Sequence, residues 1–199
     1  MRRPLDLLIA GLAAAVLAPL LVLLALAVRW RLGRPVLFPH ERAGRHGAPF
    51  TLWKLRTMTD DRGPDGALLA DEARLGTFGR HLRSSSLDEL PELWNVVRGE
   101  MALVGPRPLP TTYLGRYTPR EARRHDVRPG ITGWAQVNGR NTTSWEDRLA
   151  LDVWYVENRS LRLDVRILLL TVRAVLSRTG VSAEGHATMP ELRPHRTGP

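Results

Sequence analysis

The stretch Leu7–Val28, LLIAGLAAAVLAPLLVLLALAV, is a run of 22 residues without a charged side chain. As one straight helix it would be about 33 Å long, which matches the hydrocarbon core of a bilayer. The run is too long for the apolar part of a cleaved signal peptide. Arginines flank it on both sides: Arg2 and Arg3 before it, and Arg29, Arg31 and Arg34 after it. The sequence therefore predicts a membrane anchor with positive charge at both ends.

The pair Ala18-Pro19 leaves two topologies open for this anchor. A proline inside a helix removes a hydrogen-bond donor and clashes with the preceding turn, so it can bend the helix. Halves of roughly 18 and 14 Å could then enter and leave through one leaflet. Positive residues prefer the cytoplasmic side, and here both flanks carry them. The residues alone slightly favour a kinked spanning helix, with a re-entrant hairpin close behind.

The composition of the chain points to anionic partners. The 199 residues carry a formal net charge of +9, and the sequence pI is about 11.2. Such a balance suits phosphate substrates, an anionic membrane face or nucleic acid. The chain has no cysteine, which excludes disulfides and thiolate catalysis.

Lys54 is the one lysine among the 29 basic residues. A single retained ammonium suggests a position where a planar guanidinium would serve badly, although chance retention explains it equally well. Lys54 and Arg56 alternate with Leu55 after a strand-like run, so both would point to one face. That face could bind phosphate or anionic lipid, and the structural alternative is an exposed edge strand.

Hydrophobic periodicity places several elements along the remaining chain. A β-hairpin is predicted from short strands at residues 36–38 and 50–53 around a turn at 44–47. Helices are predicted at residues 71–82, 87–97, 144–157 and 161–178, and a loop with a short strand at 129–139. The last helix mixes a broad apolar face with arginines. This pattern suits a helix in the membrane interface, although packing against the domain is slightly favoured.

Segment 86–93, SLDELPEL, has two interpretations. In the first, Ser86 caps a helix and Glu89 reaches back to it in a capping box. In the second, Asp88 and Glu89 point about 100° apart on a helix, so that one can attack a phosphate while the other holds a metal. The residues alone favour the capping box.

Two arginine segments could bind phosphate. In 104–108, VGPRP, prolines stiffen the backbone on either side of Arg107, and a guanidinium held in this way can bind phosphate oxygens with two hydrogen bonds. Segment 123–130, RRHDVRPG, is a basic cluster that includes Arg128 and suits phosphate, lipid head groups or nucleic acid. The structural alternative for both segments is a solvated surface.

Segment 130–141, GITGWAQVNGRN, places three glycines around Gln136, Asn138 and Arg140. Glycines allow close backbone approach and amides bind polar edges, which suits a base, sugar or diphosphate pocket. The chain has no P-loop, Rossmann or Gly-x-Ser-x-Gly pattern, and no histidine pair with zinc-ligand spacing. Any metal is therefore expected to be Mg²⁺ on carboxylate.

Taken in order, these segments resemble the bacterial sugar transferase family, the monotopic phosphoglycosyl transferases. The resemblance rests on 54–58, KLRTM; 84–91, SSSLDELP; 103–108, LVGPRP; 127–141, VRPGITGWAQVNGRN; 151–156, LDVWYV; and 180–186, GVSAEGH. It covers nearly the whole chain, and the stretch from Arg128 to Trp134 is highly specific. The chain is similar to the minimal, single-domain form of the family, the form that transfers diacetylbacillosamine phosphate.

The resemblance implies an enzyme that moves a sugar 1-phosphate from a UDP-sugar to undecaprenyl phosphate and releases UMP. The aspartate of the family's Asp-Glu pair is the nucleophile. It corresponds to Asp88, which would form an aspartyl-phosphosugar intermediate. Glu89 would hold Mg²⁺. The phosphates would be steadied by Arg107, Lys54, Arg128 and Arg140. The match to the minimal form favours an acetamido sugar as donor, and the product would begin a bacterial surface glycan.

The resemblance also implies the architecture. We expect an α+β, mostly helical fold with a re-entrant membrane helix–break–helix at residues 1–34. A catalytic domain with a short β-hairpin and interfacial amphipathic helices would follow at residues 35–188, and a flexible tail at residues 189–199. The family breaks its membrane helix at a Ser-Pro pair. Here Ala18-Pro19 stands in that place, so the hairpin, now the favoured topology, rests on Pro19 and the flanking charges.

The same resemblance predicts where the protein works and with what. We expect the cytoplasmic face of the bacterial inner membrane, with membrane lipids and a second copy of the chain in a homodimer as further partners. Nucleic acid is not an expected partner, because such a protein would leave the apolar run unexplained and no nucleic-acid-binding motif is present. A non-catalytic membrane adaptor of a glycan-assembly complex is the alternative function. It would not need Asp88 and Glu89 beside a phosphate-binding arginine.

Overall fold

A computed structural model describes residues 2–138, residues 144–177 and Leu192, and it has the mostly helical α+β fold that the sequence predicts. The helices are α1 (Arg2–Leu32), α2 (Asp71–Arg74), α3 (Thr77–Ser84), α4 (Glu92–Arg98), α5 (Pro119–Ala122), α6 (Trp134–Asn138), α7 (Trp145–Asn158) and α8 (Leu161–Leu176). The strands are β1 (Leu37–Ala43), β2 (Pro49–Leu55), β3 (Ala102–Val104) and β4 (Gly130–Thr132). Short 3₁₀ segments lie at Arg45–Gly47, Leu87–Glu89, Thr111–Arg116 and Arg123–Asp126. Segment 180–186, which contributes to the family resemblance, lies outside the described residues. So does the predicted tail, apart from Leu192.

The predicted hairpin is confirmed, with longer strands than expected. β1 and β2 pair antiparallel from Leu37 opposite Leu55 to Ala43 opposite Pro49. Side chains alternate along a strand, so Phe50, Leu52 and Lys54 of β2 share one face. Phe50 and Leu52 on that face are buried in a core cluster with Val96 of α4. The hairpin therefore carries Lys54 toward the start of α4.

Asn95 fastens α4 to β2. Its side chain is fully buried, and its Nδ2 donates to the carbonyl of Thr51 at 2.7 Å and to Oε2 of Glu100 at 2.6 Å. The amide of Trp53 donates to Oδ1 of Asn95 at 3.3 Å. A buried amide left without these partners would cost about 1–3 kcal/mol. These bonds hold α4 against β2.

Two predicted helices are each broken in the structure. The helix expected at 71–82 is divided into α2 and α3 by two residues, Leu75 and Gly76. The helix expected at 87–97 is divided into the 3₁₀ turn Leu87–Glu89 and α4. Pro91 explains the second break, because it has no amide hydrogen and is tolerated only at a helix start. It stands directly before α4 with φ −62°.

α1 is one helix that continues through Pro19. By length and composition it could cross a membrane, with a mean hydropathy of 2.8 in its most apolar window. Both of its ends nevertheless lie on the globular domain. Nη1 of Arg3 donates to the carbonyl of Val96 at 2.7 Å, and Val28 is fully buried in a cluster with Leu55. The break expected at Pro19 is not present as a gap in the helix, and the re-entrant topology stays a prediction.

The helices predicted at 144–157 and 161–178 are confirmed as α7 and α8. Ser144 and Ser160 cap them, each accepting a hydrogen bond from the backbone amide three residues on. α8 buries Ile167 completely in the core. Its opposite side is an exposed apolar stripe formed by Leu161, Val165, Leu169, Val172 and Val175. One face thus packs against the domain, while the stripe suits a membrane interface.

Gly105, Gly130 and Gly133 allow the ends of β3 and β4 to pack at backbone distance. A Cβ atom on Gly105 would lie 2.5 Å from the carbonyl oxygen of Arg128, closer than real side chains ever approach. A Cβ atom on Gly130 or on Gly133 would in turn collide with the backbone of Gly105. Two glycines of segment 130–141 therefore support the loop that carries Arg107.

Candidate active site

Three carboxylates come together where the 3₁₀ turn Leu87–Glu89 leads into α4. Asp88 and Glu92 are buried, with 7% and 2% of their surface exposed, and Glu89 lies between them in sequence. Ser86, just before the turn, has φ 56° and ψ 18°, and its side chain caps nothing. The predicted capping box is wrong, because a cap residue needs extended backbone so that its side-chain oxygen can accept a hydrogen bond from a backbone amide of the first turn. A non-glycine residue in this left-handed region costs roughly 1–2 kcal/mol, a type of strain that clusters at functional sites.

Two cations converge on Glu89 from distant parts of the chain. Nζ of Lys54 lies 2.6 Å from Oε1 of Glu89 and 3.1 Å from Oε1 of Glu92. Nη2 of Arg107 lies 2.6 Å from the same Oε1 of Glu89. Lys54 comes from the end of β2, and Arg107 from the loop after β3. The ammonium of Lys54 bridges two carboxylates, a task for which a compact charge with several donors is suited.

A buried ion pair holds the Arg107 loop. Nη2 of Arg124 donates to the backbone carbonyl of Arg107 at 2.7 Å. The same guanidinium binds Oδ2 of Asp152 through Nη2 at 2.7 Å and Nε at 3.1 Å. Both side chains are nearly inaccessible, with 2% and 6% exposed. Asp152, on α7, thereby fixes Arg124, and Arg124 fixes the backbone that presents Arg107.

The environment separates the pKa values of the three carboxyl groups. Burial, and then the charge of Glu89, raises the pKa of Asp88 from 3.8 to about 6. Burial alone would also raise the pKa of Glu89, but Arg107 and Lys54 outweigh it and hold that pKa at about 2. Burial and Glu89 raise the pKa of Glu92 to about 7. Asp88 is therefore a poorly solvated carboxyl group beside a neighbour, Glu89, that is ionised at neutral pH.

Further arginines surround this group. Burial, and then the positive charge of Arg107, lowers the pKa of Arg42. The same two effects lower the pKa of Arg148, on α7. Arg83 is close enough to Asp88 to lower the pKa of that carboxyl. These cations repel one another, and they outnumber the carboxylates around them. The excess positive charge favours a polyanionic ligand such as a diphosphate.

The carboxylates fit a divalent cation only as a partial ligand set. Within residues 2–138 and 144–177, no group of three histidine, aspartate or glutamate side chains has metal-binding geometry. Both cations on Glu89 bind Oε1, which leaves Oε2 to a metal. Mg²⁺ commonly takes one or two carboxylates and completes its shell with substrate phosphates and water. Glu89, with Asp88 beside it, fits that mode.

Three predicted phosphate- or sugar-binding residues lie among backbone acceptors instead of at the carboxylates. Arg56 donates to the carbonyl of Arg34 at 2.7 Å and pairs with Asp60 at 2.7 Å. Nε of Arg128 donates to the carbonyl of Gly99 at 2.8 Å. Nδ2 of Asn138 donates to the carbonyl of Trp134. Their predicted ligand roles stay predictions.

Gln136 keeps one unused atom. Its Nε2 donates to the carbonyl of Ile131 at 3.1 Å, while its buried Oε1 has no partner among the described residues. Arg140 lies outside the described part of the chain. The structure thus brings together Asp88, Glu89, Lys54 and Arg107, whereas the other predicted residues that it describes bind backbone carbonyls away from this group.

Sequence reasoning missed the site residues Glu92, Arg42, Arg124 and Asp152. Glu92 stands in the quoted segment 86–93, but its burial against Lys54 depends on the fold. Arg124 belongs to a cluster that is ordinarily solvated. Asp152 had a usable signal, because α7 places it on the same buried side as Leu149 and Val153. A carboxylate on an apolar helix face predicts a buried partner.

Comparison with known proteins gives consistent matches. Residues 1–178 match the bacterial sugar transferase family. An uncharacterized sugar transferase, EpsL, of Bacillus subtilis is 57% identical over 161 residues, covering 81% of this chain and 80% of that protein. A UDP-glucose:undecaprenyl-phosphate glucose-1-phosphate transferase of Caulobacter vibrioides is 44% identical, covering 88% of this chain and 70% of that protein. A UDP-N-acetylgalactosamine-undecaprenyl-phosphate N-acetylgalactosaminephosphotransferase of Aeromonas hydrophila is 35% identical, covering 90% of this chain and 44% of that protein.

Proposed function

The chain belongs to the bacterial sugar transferase family, and we propose that it transfers a sugar 1-phosphate from a UDP-sugar to undecaprenyl phosphate with release of UMP. Relatives are named as enzymes of this type, for glucose and for N-acetylgalactosamine. The observation that carries the proposal is the buried carboxylate of Asp88 beside a Lys54–Glu89–Arg107 ion cluster. This arrangement joins a nucleophile to cations that can neutralise phosphate.

In the first step, a carboxylate oxygen of Asp88 attacks the sugar-linked phosphorus of the donor. A bond forms between that oxygen and phosphorus, the bond to the bridging diphosphate oxygen breaks, and UMP leaves with the electron pair. The product is an aspartyl-phosphosugar. With a pKa of about 6, Asp88 is mainly ionised at neutral pH, and its poor solvation makes it a better nucleophile.

In the second step, a phosphate oxygen of undecaprenyl phosphate attacks the same phosphorus. The bond to Asp88 breaks, which restores the carboxylate and yields an undecaprenyl diphosphate sugar. Charge gathers on the oxygens around phosphorus in both steps, and fixed cations at that place lower the barrier. Arg107 and Lys54 supply the charge, with Arg42 and Arg148 nearby. Glu89 would hold Mg²⁺, which supplies further neutralisation of the phosphates.

We also infer that α1 enters and leaves the membrane on the same side. The support is the position of its two ends, because Arg3 and Val28 both contact the globular domain. A helix that crossed the bilayer would place one end on the far side, about 30 Å from the domain. A re-entrant anchor would keep the active site at the head groups on the cytoplasmic face of the inner membrane. There a lipid phosphate meets a soluble nucleotide sugar, in the first membrane step of surface glycan assembly (exopolysaccharide, capsule, O-antigen or glycoprotein).

The donor sugar has to be identified with a panel of UDP-sugars. The Caulobacter relative makes UDP-glucose the first donor to test, and the acetamido sugar that the family resemblance favours makes UDP-N-acetylgalactosamine the second. The homodimer stays a separate prediction. The relatives are named as transferases, which weighs against the alternative of a non-catalytic adaptor, and the same assay tests that alternative.

The test is UMP release by the full chain in detergent or nanodiscs, with Mg²⁺, undecaprenyl phosphate and each donor in turn. Wild type is compared with Asp88→Asn and with Asp126→Asn, which changes an exposed carboxylate outside the carboxylate–cation site. We expect wild type and Asp126→Asn to release UMP and Asp88→Asn to release none. When undecaprenyl phosphate is omitted and the donor carries ³²P in its sugar phosphate, we expect the wild-type protein itself to become labelled. UMP release that survives in Asp88→Asn would exclude Asp88 as nucleophile. No release with any donor would favour the adaptor.

A further inference from the structure

A cavity of about 250 Å³ lies between the first turns of α1 and the first turns of α8. None of the residues that form the carboxylate–cation site lines it. Its apolar wall consists of Leu5, Ile9, Leu161, Val165 and Leu168. The wall continues outward into the exposed apolar side of α1 and the exposed stripe of α8. The cavity therefore opens where both helices offer apolar surface to a membrane.

The polar wall of the cavity carries excess positive charge. It contains Arg3, Arg45, Arg128 and Arg159, against the carboxylates of Asp6 and Asp164. Asp164 accepts a hydrogen bond from the hydroxyl of Tyr155 at 2.8 Å. Among the residues that the structure describes, neither Arg128 nor Arg159 forms an ion pair with a carboxylate. Their guanidinium charge is left for a ligand.

We propose that this cavity binds one anionic phospholipid of the membrane, with the lipid phosphate on Arg128 and Arg159 and an acyl chain along α1 and α8. Guanidinium groups bind phosphate oxygens with short, charge-assisted hydrogen bonds. Basic pockets between membrane-associated helices are known to recognise anionic head groups. The combination of these two arginines, which form no ion pair with a carboxylate among the described residues, and an apolar wall matches a lipid better than it matches a soluble anion.

Lipid in this cavity would also brace the catalytic segment. Arg3 donates to the carbonyl of Val96, and Arg128 to that of Gly99, at the end of α4. α4 begins with Glu92, next to the nucleophile's turn. The inference rests on the membrane anchor and not on the transfer chemistry, so it can be tested without donor or turnover.

The experiment is native mass spectrometry of the full chain, released from detergent after titration with phosphatidylglycerol or phosphatidylcholine. We expect one tightly retained phosphatidylglycerol and weaker retention of phosphatidylcholine. Arg159→Gln, which alters an exposed side chain, should weaken retention about tenfold, because a charge-assisted bond to phosphate is lost. Arg128→Gln with Arg159→Gln should abolish it. Val165→Trp should also weaken retention, since it fills the cavity without a change of charge.

The matched control is Arg162→Gln with Arg173→Gln, two exposed arginines of α8 that do not line the cavity. Equal loss of phosphatidylglycerol from this control and from the cavity variants would show that general surface charge, and not the cavity, retains the lipid. Unchanged retention in Val165→Trp would exclude the cavity. Displacement of the bound lipid by equimolar undecaprenyl phosphate would assign the cavity to the acceptor instead. Each of these outcomes overturns the proposal.

Discussion

Removal of one member of the Arg124–Asp152 pair should destabilise the protein far more than removal of both. The two side chains are 2% and 6% exposed, and the guanidinium binds Oδ2 at 2.7 and 3.1 Å. Asp152→Ala leaves a buried guanidinium without its counter-charge, which costs about 3–5 kcal/mol. Arg124→Met leaves a buried carboxylate and should cost a similar amount. For a chain of this size, such a loss lowers the melting temperature by about 10 °C.

The double variant separates the stability of the pair from its role in positioning. Arg124→Met with Asp152→Leu replaces the ions with apolar side chains, and its free energy of unfolding should lie within about 1 kcal/mol of wild type. Its catalytic activity should still fall. The backbone carbonyl of Arg107 loses the donor that lies 2.7 Å away, so the guanidinium loses its position. A misplaced phosphate-binding group commonly costs on the order of 10²-fold in rate.

Stability would be measured by thermal unfolding in detergent, followed by the fluorescence of the chain's six tryptophans. UMP release would be measured for every variant at a temperature below its own melting transition. Destabilisation in the double variant equal to the sum of the two single losses would refute the coupling of the pair. Full activity in a stable double variant would refute the positioning of Arg107 by Arg124.

Further predictions concern Asp88 and its neighbours Ser86 and Lys54. The rate of UMP release should rise with pH through about 6 and then level off, because Asp88 has a raised pKa and acts as the anion. That raised pKa also means that the folded state binds the proton more tightly than the unfolded state. The free-energy cost of keeping Asp88 ionised in the folded protein is therefore absent below about pH 4 and fully present above about pH 6. Asp88→Asn should consequently unfold at a higher temperature than wild type at about pH 8 and at the same temperature at about pH 4. Ser86→Gly should raise the free energy of unfolding by up to about 1 kcal/mol, because glycine adopts the positive φ without strain. Ser86→Ala should change that free energy by less than about 0.5 kcal/mol, and denaturant titration would measure both. Lys54→Arg should fold with the wild-type melting temperature but lose about tenfold or more in kcat/KM for UMP release, because a planar fork cannot bridge Glu89 and Glu92 as an ammonium does.

Each of these predictions has a result that contradicts it. A pH profile that is flat between about 5 and 8 would show that Asp88 is not desolvated. A loss of about 1 kcal/mol in Ser86→Ala would restore the capping box. Equal kcat/KM for Lys54→Arg and wild type would show that any cation suffices at that position.

Local patterns in the sequence were enough to predict the hairpin, α7, α8 and the identity of the central site residues. Strand alternation, a serine cap and helical periodicity depend on neighbours within a few positions, so they survive without knowledge of the fold. Asp88, Glu89 and Arg107 stand in short segments whose chemistry and family resemblance single them out. Gly76 and Pro91 mark the breaks in the two predicted helices, but the apolar periodicity runs through both positions and predicts continuous helices.

Tertiary structure decided which of these residues meet. Lys54 and Glu89 are 35 positions apart, and Arg124 and Asp152 are 28 apart, so no local pattern could have paired them. Burial and charge pairing depend on elements that pack from distant parts of the chain. The same packing directs Arg128 toward the backbone carbonyl of Gly99 and the cavity between α1 and α8. The sequence by itself determined the chemical groups of this enzyme, and the fold determined their partners, their pKa values and their distances.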